Sequence, residues 1–279
     1  TLTQRLRSGE ISALAVVEAH LARIAAVNPK LNAIVQLMAE QALADAAAAD
    51  QDLARGHLRG PLHGLPVTIK DWLEVAGVIC AAGMEQYRDY VPTQDATVVT
   101  RLRQAGAIVL GKTNVTADNP VYGRTNNPYN LAYSPSGSSS GEAAIIAAGG
   151  SPLGLGSDSG GSIRTPAHAC GIAGLKPTAG RVPLTGHLPR ISFMNDPRTV
   201  IGPLARSVAD LALALPIIQG VDWVDASVVP MPLGDWRQAE LRPLRVAFYT
   251  EHADANPDPV CKQAAIDAAQ ALVNEVALV

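Results

Sequence analysis

The sequence predicts an α/β protein, a β-sheet covered by helices on both faces. Two observations carry this. Short apolar runs rich in β-branched residues alternate with stretches whose apolar positions recur every three or four residues, and glycine or proline separates most of them. Hydrophobic residues make up 48% of the 279 and charged residues 17%, enough apolar content to bury a core of that size.

Taken in order, Leu14, Val17, Leu21 and Ile24 give one apolar stripe, so a helix is expected with Ser12 as its N-cap and Asn28-Pro29 as its stop. The alanine-rich stretch from Asn32 to Arg55 keeps a similar period and reads as a second packing helix. Leu65 to Asp71 reads as a short buried strand ending in charge. Asp95 is expected to cap a helix whose apolar face holds Val98, Val99 and Leu102, closed by Gly106. A strand over Ala107–Leu110, a compact helix over Gly141–Ala148 and a strand over Leu153–Ser157 follow. Beyond them come an amphipathic helix over Ser207–Ile218, a connector over Asp222–Arg242, a strand over Leu244–Tyr249 and a last helix from Asp258. Ser134 to Gly161 has the composition of a linker, but Ile145-Ile146 and Leu153-Leu155 mark it as folded.

Composition also excludes. The formal net charge is −3 and no basic stripe is present, which argues against a nucleic-acid partner. No apolar run reaches ~18 residues, so no membrane span is expected. The first residues lack the pattern of a secretion leader, and Cys80, Cys170 and Cys261 are scattered, which suits reduced thiols and a cytoplasmic setting.

Several motifs are decoys. Gly106 to Thr113 matches the P-loop pattern, but a helix precedes it and a β-branched strand fills the span where a phosphate cradle needs a loop. Asn114-Val115-Thr116 is a sequon in a chain read as cytoplasmic. Gly154-Leu155-Gly156 begins a dinucleotide fingerprint that fails at Ser159. The six histidines show no metal-ligand spacing, and His168 lies near Ser162 without the glycine-flanked elbow of a Ser-His-Asp enzyme, so a structural role is favoured for it.

Three segments concentrate chemistry. Gly64 to Asp71 ends on Lys70, whose ammonium would be expensive to bury and would become a neutral base, unless it simply pairs with Asp71. Gly137-Ser138-Ser139-Ser140-Gly141-Glu142 precedes a helix, where N–H groups converge, although serine and glycine also make ordinary caps. Asp158-Ser159-Gly160-Gly161-Ser162 can line N–H groups toward one point and end on a nucleophile, the alternative being a plain tight turn. Together they supply nucleophile, hydroxyl relay and base without histidine.

These segments resemble the amidase signature enzymes: Ser134 to Glu142, Gly154 to Arg164 and Cys170 to Thr178, with Ser138 and Ser162 at the family's separation of 24 residues. Gly64–Asp71, Gly111–Asn114 and Ile201–Ser207 match as well, so the resemblance runs over most of the chain. It implies a mixed, twisted central sheet and hydrolysis of a small-molecule carboxamide by a Ser-cisSer-Lys triad, with no metal or organic cofactor. Ser162 would be the acylating nucleophile, Ser138 the bridging serine beside a cis peptide, and Lys70 the base. Backbone N–H groups of Ser159, Gly160, Gly161 and Ser162 would hold the oxyanion, supported by Ser139, Asp158 and Arg164, with a substrate carboxylate as the other option for Arg164. One domain over 1–279 is expected, with homodimer assembly left open. Family members commonly run longer, so the chain is expected to be incomplete at its C-terminus and short of residues near 115–118, while Ser136 and Ser140 replace glycines common in the motif. Two other readings stand beside the amidase: the glutaminase subunit of a tRNA-dependent amidotransferase, and a decayed amide-binding protein. Arg190 to Val200 lacks the Ser-rich, Asp-Gln-containing stretch usual in the glutaminase, and the three catalytic side chains argue against decay.

Overall fold

The structure is a computed structural model that describes residues 1–191, 196–251, 256–273 and 275–278. They form two compact units, 1–231 and 232–279.

The first unit opens with α1 (Leu2–Arg7) and α2 (Ala13–Leu31). Ser12 caps α2 as expected, its hydroxyl accepting from the Ala15 N–H at 3.1 Å. The helix does not stop at Asn28-Pro29. Proline removes one donor in the last turn, and the helix continues to Leu31, where Asn32 turns left-handed at φ 50°. Asn28 steers the exit: its Oδ1 accepts from the N–H groups of Ala33 and Ile34, both at 2.8 Å. The single helix expected from Asn32 is also corrected. A strand, β1 (Ile34–Leu37), comes first, and α3 (Ala39–Ala54) takes the alanine-rich remainder.

Next come β2 (Pro66–Lys70), α4 (Thr97–Gln104) and β3 (Ile108–Thr113). Ala96, not Asp95, occupies the N-cap of α4. Asp95 instead accepts from the Ala76 N–H at 2.8 Å and pairs with Arg103 at 3.1 Å, two partners that compete for the carboxylate. A small hairpin, β4 (Asp118–Asn119) and β5 (Gly123–Arg124), leads to α5 (Ser140–Ala147) and β6 (Leu153–Asp158). The unit closes with α6 (Arg164–Ala169), β7 (Ala173–Gly174), β8 (Val200–Ala205) and α7 (Val208–Ile218), the last capped by Ser207.

The main sheet runs β1-β3-β2-β6-β8-β7. Its centre, β3-β2-β6, is parallel, while β1, β8 and β7 join antiparallel, so the sheet is mixed. Strands β2, β3, β6 and β8 are buried along their whole length, as expected where helices cover both faces. Helix α5 packs on β2, β3, β6 and β8, with α2 behind it; α4 and α7 pack together, and α7 reaches β7 and β8. The close seating of α5 explains the glycines of β6. A Cβ at Gly154 would collide with the Glu142 carboxylate, and one at Gly156 would lie 2.6 Å from Ser139 Oγ. In the P-loop-like run, Gly106 lies in the turn after α4 and Ile108–Thr113 is β3, so strand fills most of the span where a phosphate cradle needs a loop.

In the second unit, β9 (Arg245–Val246) pairs in parallel with β10 (Ala277–Leu278), and Asp258 caps α8 (Pro259–Leu272). The strand expected over Leu244–Tyr249 comes down to these two residues; Leu244, Phe248 and Tyr249 are exposed, so little apolar burial extends it. Among the described residues, no helix is long and apolar enough to cross a membrane.

Candidate active site

Two neighbouring parallel strands deliver charged residues to the same edge of the sheet. Lys70 is the last residue of β2 and Asp158 the last of β6. Crevices outside the carboxyl ends of parallel strands are where open α/β sheets bind ligands. The turn before α5 brings Ser138 and Ser139 to this edge, and the turn after β6 brings Ser162.

Lys70 is completely buried. Its Nζ lies 2.7 Å from Ser138 Oγ, 3.1 Å from Ser157 Oγ and 3.3 Å from the Ser157 carbonyl oxygen. It also sits 3.9 Å from the centre of the Trp72 ring. Burial drives the Lys70 amine well below the usual lysine range, and the charges of Asp158 and Glu142 oppose that without reversing it. Pairing with Asp71, the other use open to Lys70, does not occur: Asp71 takes Lys112 instead, 2.9 Å away and equally buried. Among the described residues, Lys70 is thus left without a carboxylate in ion-pair contact.

The Gly137–Ser138 peptide is cis. Ser138 is nearly buried, at 8% exposure, and Ser162 is half-buried, so access to solvent falls from Ser162 through Ser138 to Lys70. The Ser139 N–H donates to the Ser162 carbonyl at 3.1 Å, tying the two serine turns together. The Ser139 hydroxyl donates to the Ser157 carbonyl at 3.4 Å.

Asp158 organises the second turn. Its carboxylate accepts from the N–H groups of Gly161 (2.8 Å), Ile163 (3.0 Å) and Arg164 (3.2 Å) and takes the Arg164 guanidinium in a two-pronged contact, both arms at 3.0 Å. Burial pushes this carboxyl up, and the guanidinium with the three N–H groups outweighs it, holding Asp158 well below the usual carboxylate range. Gly161 needs its glycine, with φ at +118°. The Gly161 N–H, expected among the oxyanion donors, is donated to Asp158 in this structure. Among the described residues, the N–H groups of Ser159, Gly160 and Ser162 make no hydrogen bond. Arg164 takes the supporting position beside Asp158.

Beneath the site, the buried Glu142 carboxylate accepts from the Thr68 hydroxyl and from the Thr113 hydroxyl at 2.7 Å. Burial raises its pKa to about 7 against these two donors and the Lys70 charge. Sequence reasoning does not single out the contacts of Thr68, Thr113, Glu142 and Ser157. Glu142 is visible as an acid on an otherwise small, apolar helix; Thr68, Thr113 and Ser157 lie within the matched segments, but which side chain each one meets is set by tertiary contacts. His168 is exposed on α6. Among the described residues, no group of three His, Cys, Asp or Glu side chains could hold a metal ion.

A family model described as Amidase matches residues 15–277. The chain belongs to the amidase signature family. Within it, a curated relative from Roseiflexus sp. (strain RS-1), which bears the name of a glutamyl-tRNA(Gln) amidotransferase subunit, is 41% identical over 271 residues, covering 94% of this chain and 55% of the relative. Among solved structures, a fatty acid amide hydrolase superposes with a TM-score of 0.90 at 29% identity, covering all of this chain and 51% of the other. Native peptide amidase from Stenotrophomonas maltophilia gives a TM-score of 0.85 at 36% identity, covering 99% of this chain and 60% of the other. The chain spans about half the length of the curated relatives it matches.

Proposed function

We propose that this site hydrolyses a carboxamide through an acyl-enzyme. The observation that carries the reading is Lys70, completely buried, its pKa pushed well below the usual lysine range by that burial, 2.7 Å from Ser138 Oγ and, among the described residues, without a carboxylate in ion-pair contact. As Ser162 Oγ bonds to the amide carbon, its proton passes to Ser138 while the proton of Ser138 passes to Lys70. The oxyanion that forms is held by the free N–H groups of Ser159, Gly160 and Ser162. When the C–N bond breaks, the proton returns from Lys70 through Ser138 to the departing nitrogen. Water then attacks the ester by the same route and releases the acid.

A second reading is favoured by the curated relatives, which carry the name of an amidotransferase component. In it the same chemistry releases ammonia from glutamine for a partner protein. This weighs against the sequence argument drawn from Arg190 to Val200, part of which (192–195) lies outside the described residues. The chemical step is common to both readings, so one experiment tests it and separates them. Ammonia or amine release is measured for glutamine and for short aliphatic, aryl, long-chain and C-terminal peptide amides, with the Ser162→Ala protein as reference. Serine-dependent release supports the acyl-enzyme. A preference for glutamine, stimulated by tRNA and co-purifying partner proteins, supports the amidotransferase role; turnover of other amides by the lone protein supports the amidase. Release that survives Ser162→Ala overturns both.

A further inference from the structure

We infer that His187, acting through Ser157, fixes the direction of the hydrogen bond between Ser138 and Lys70 and is a positioning residue for the base. The inference rests on the hydrolase reading above and assigns a residue that the triad does not include.

Two carbonyl oxygens near the base can only accept, and they set the direction of every bond between them. His187 is fully buried, and its Nδ1 lies 3.1 Å from the first of these, the Pro189 carbonyl oxygen. A carbonyl cannot donate, so Nδ1 carries the ring proton, and in the neutral ring Nε2 is left as a lone pair. Nε2 lies 3.0 Å from Ser157 Oγ, so the Ser157 hydroxyl must donate to it. That hydroxyl proton is then committed, and Ser157 presents Lys70 with a lone pair at 3.1 Å. The second fixed acceptor is the Ser157 carbonyl, 3.3 Å from Lys70 Nζ. A neutral amine has two N–H bonds and one lone pair. Ser157 takes both N–H bonds, and the lone pair is left facing Ser138 Oγ at 2.7 Å. Every bond in the chain therefore points the same way, from Ser138 to Lys70 to Ser157 to His187 to Pro189. This is the arrangement in which Lys70 can receive a proton from Ser138.

The surroundings hold His187 in that role. Residues 72–74 and 186–188 pair like short strands: the Leu188 N–H donates to the Trp72 carbonyl at 2.6 Å and the Glu74 N–H to the Gly186 carbonyl at 2.9 Å. The Trp72 ring stands edge-on to the imidazole, with centres 5.6 Å apart. Burial lowers the His187 pKa to about 4; the Pro189 carbonyl and Asp196 oppose this, while Lys70 and Arg190 add to it. The ring is accordingly neutral at physiological pH.

Without the imidazole acceptor, the Ser157 hydroxyl can rotate and donate to the Lys70 lone pair, competing with Ser138. The test follows the rate at which a biotin-linked alkyl fluorophosphonate labels Ser162 in the intact protein, a readout that needs no knowledge of the natural amide. His187→Phe is expected to slow labelling at least tenfold at saturating probe with little change in probe affinity. His187→Gln, whose side-chain oxygen can replace Nε2, is expected to recover most of the rate. In a Ser157→Ala background, where no hydroxyl is left to misdirect, His187→Phe is expected to have no further effect. Nitrogen-15 NMR of the unsubstituted protein provides a check that no substitution can confound: the His187 resonances, identified by their loss in His187→Gln, should report a proton on Nδ1. Labelling of His187→Phe within twofold of the original, or a proton on Nε2, overturns the inference. Lys70→Met and Ser162→Ala serve as references. If they fail to label while His187→Phe labels normally, only the inference falls; if Lys70→Met labels normally, the hydrolase reading falls and takes the inference with it.

Discussion

Complete burial lowers the pKa of Lys70, as the proposed mechanism requires, and by linkage the same burial acts on stability. Its folded pKa lies far below the ~10.4 of an unfolded lysine. Between those two values the unfolded chain binds a proton that the folded chain does not, so the contribution of Lys70 to stability rises with pH through that window and is lost as pH falls. Lys70→Met removes this dependence. Denaturant titrations should therefore show its stability relative to the original chain falling from pH 7 to pH 9.5; a constant difference would mean that the folded Lys70 is charged. On activity the expected effects are larger. Ser162→Ala should abolish amide turnover, and Ser138→Ala and Lys70→Ala should each slow it by roughly 10³-fold or more, read as ammonia release. Lys70→Arg should be as damaging as Lys70→Ala, because a guanidinium keeps the charge and does not give up its proton.

At the scale of elements, α5 seats an acid against the sheet, with the two oxygens of Glu142 facing hydroxyls from β2 and β3. Its pKa is raised from 4.5 to about 7, so the folded chain holds a proton that the unfolded chain has released, and stability falls as pH rises through that interval. Glu142→Gln should be more stable than the original at pH 8, by up to roughly 3 kcal/mol, with the difference vanishing below about pH 4.5. Thermal unfolding at both pH values checks this. The elements themselves were legible to different degrees. Leu65 to Lys70 could be read because an apolar run closed by a charge is what a buried parallel strand looks like. The strand at Ile34–Leu37 could not be, because its partner β3 begins at Ile108 and the alanines that follow extend a helical period across it. Asp95 misled for a similar reason: its partners, Ala76 and Arg103, outcompete the helix start nearest to it in sequence. In the site, Ser138, Ser162 and Lys70 were visible through glycine-rich motifs. His187 was not, since 117 residues separate it from Lys70 and only the pairing of 72–74 with 186–188 brings it there.

For the whole molecule, the residues from 232 to 245 are exposed without exception, so limited trypsin digestion should cut first at Arg237, before any bond within the main sheet. A first cut between residues 66 and 205, followed on intact-mass spectra, would contradict that order. Every side chain proposed to act in catalysis lies in the 1–231 unit. Sequence alone could point to this part because the motifs are local; it could not name the amide, because no local motif encodes it, and the curated relatives run to about twice this length. The backbone hydrogen bond from Ser139 to Ser162 has a further consequence. It joins the Ser138 turn to the Ser162 turn directly, so thermal displacement of one is carried to the other and largely cancels in the gap between their hydroxyls. The Ser139 amide hydrogen should then exchange with deuterated solvent only when both turns open together, and its exchange rate would serve as a clock for how often the site comes apart.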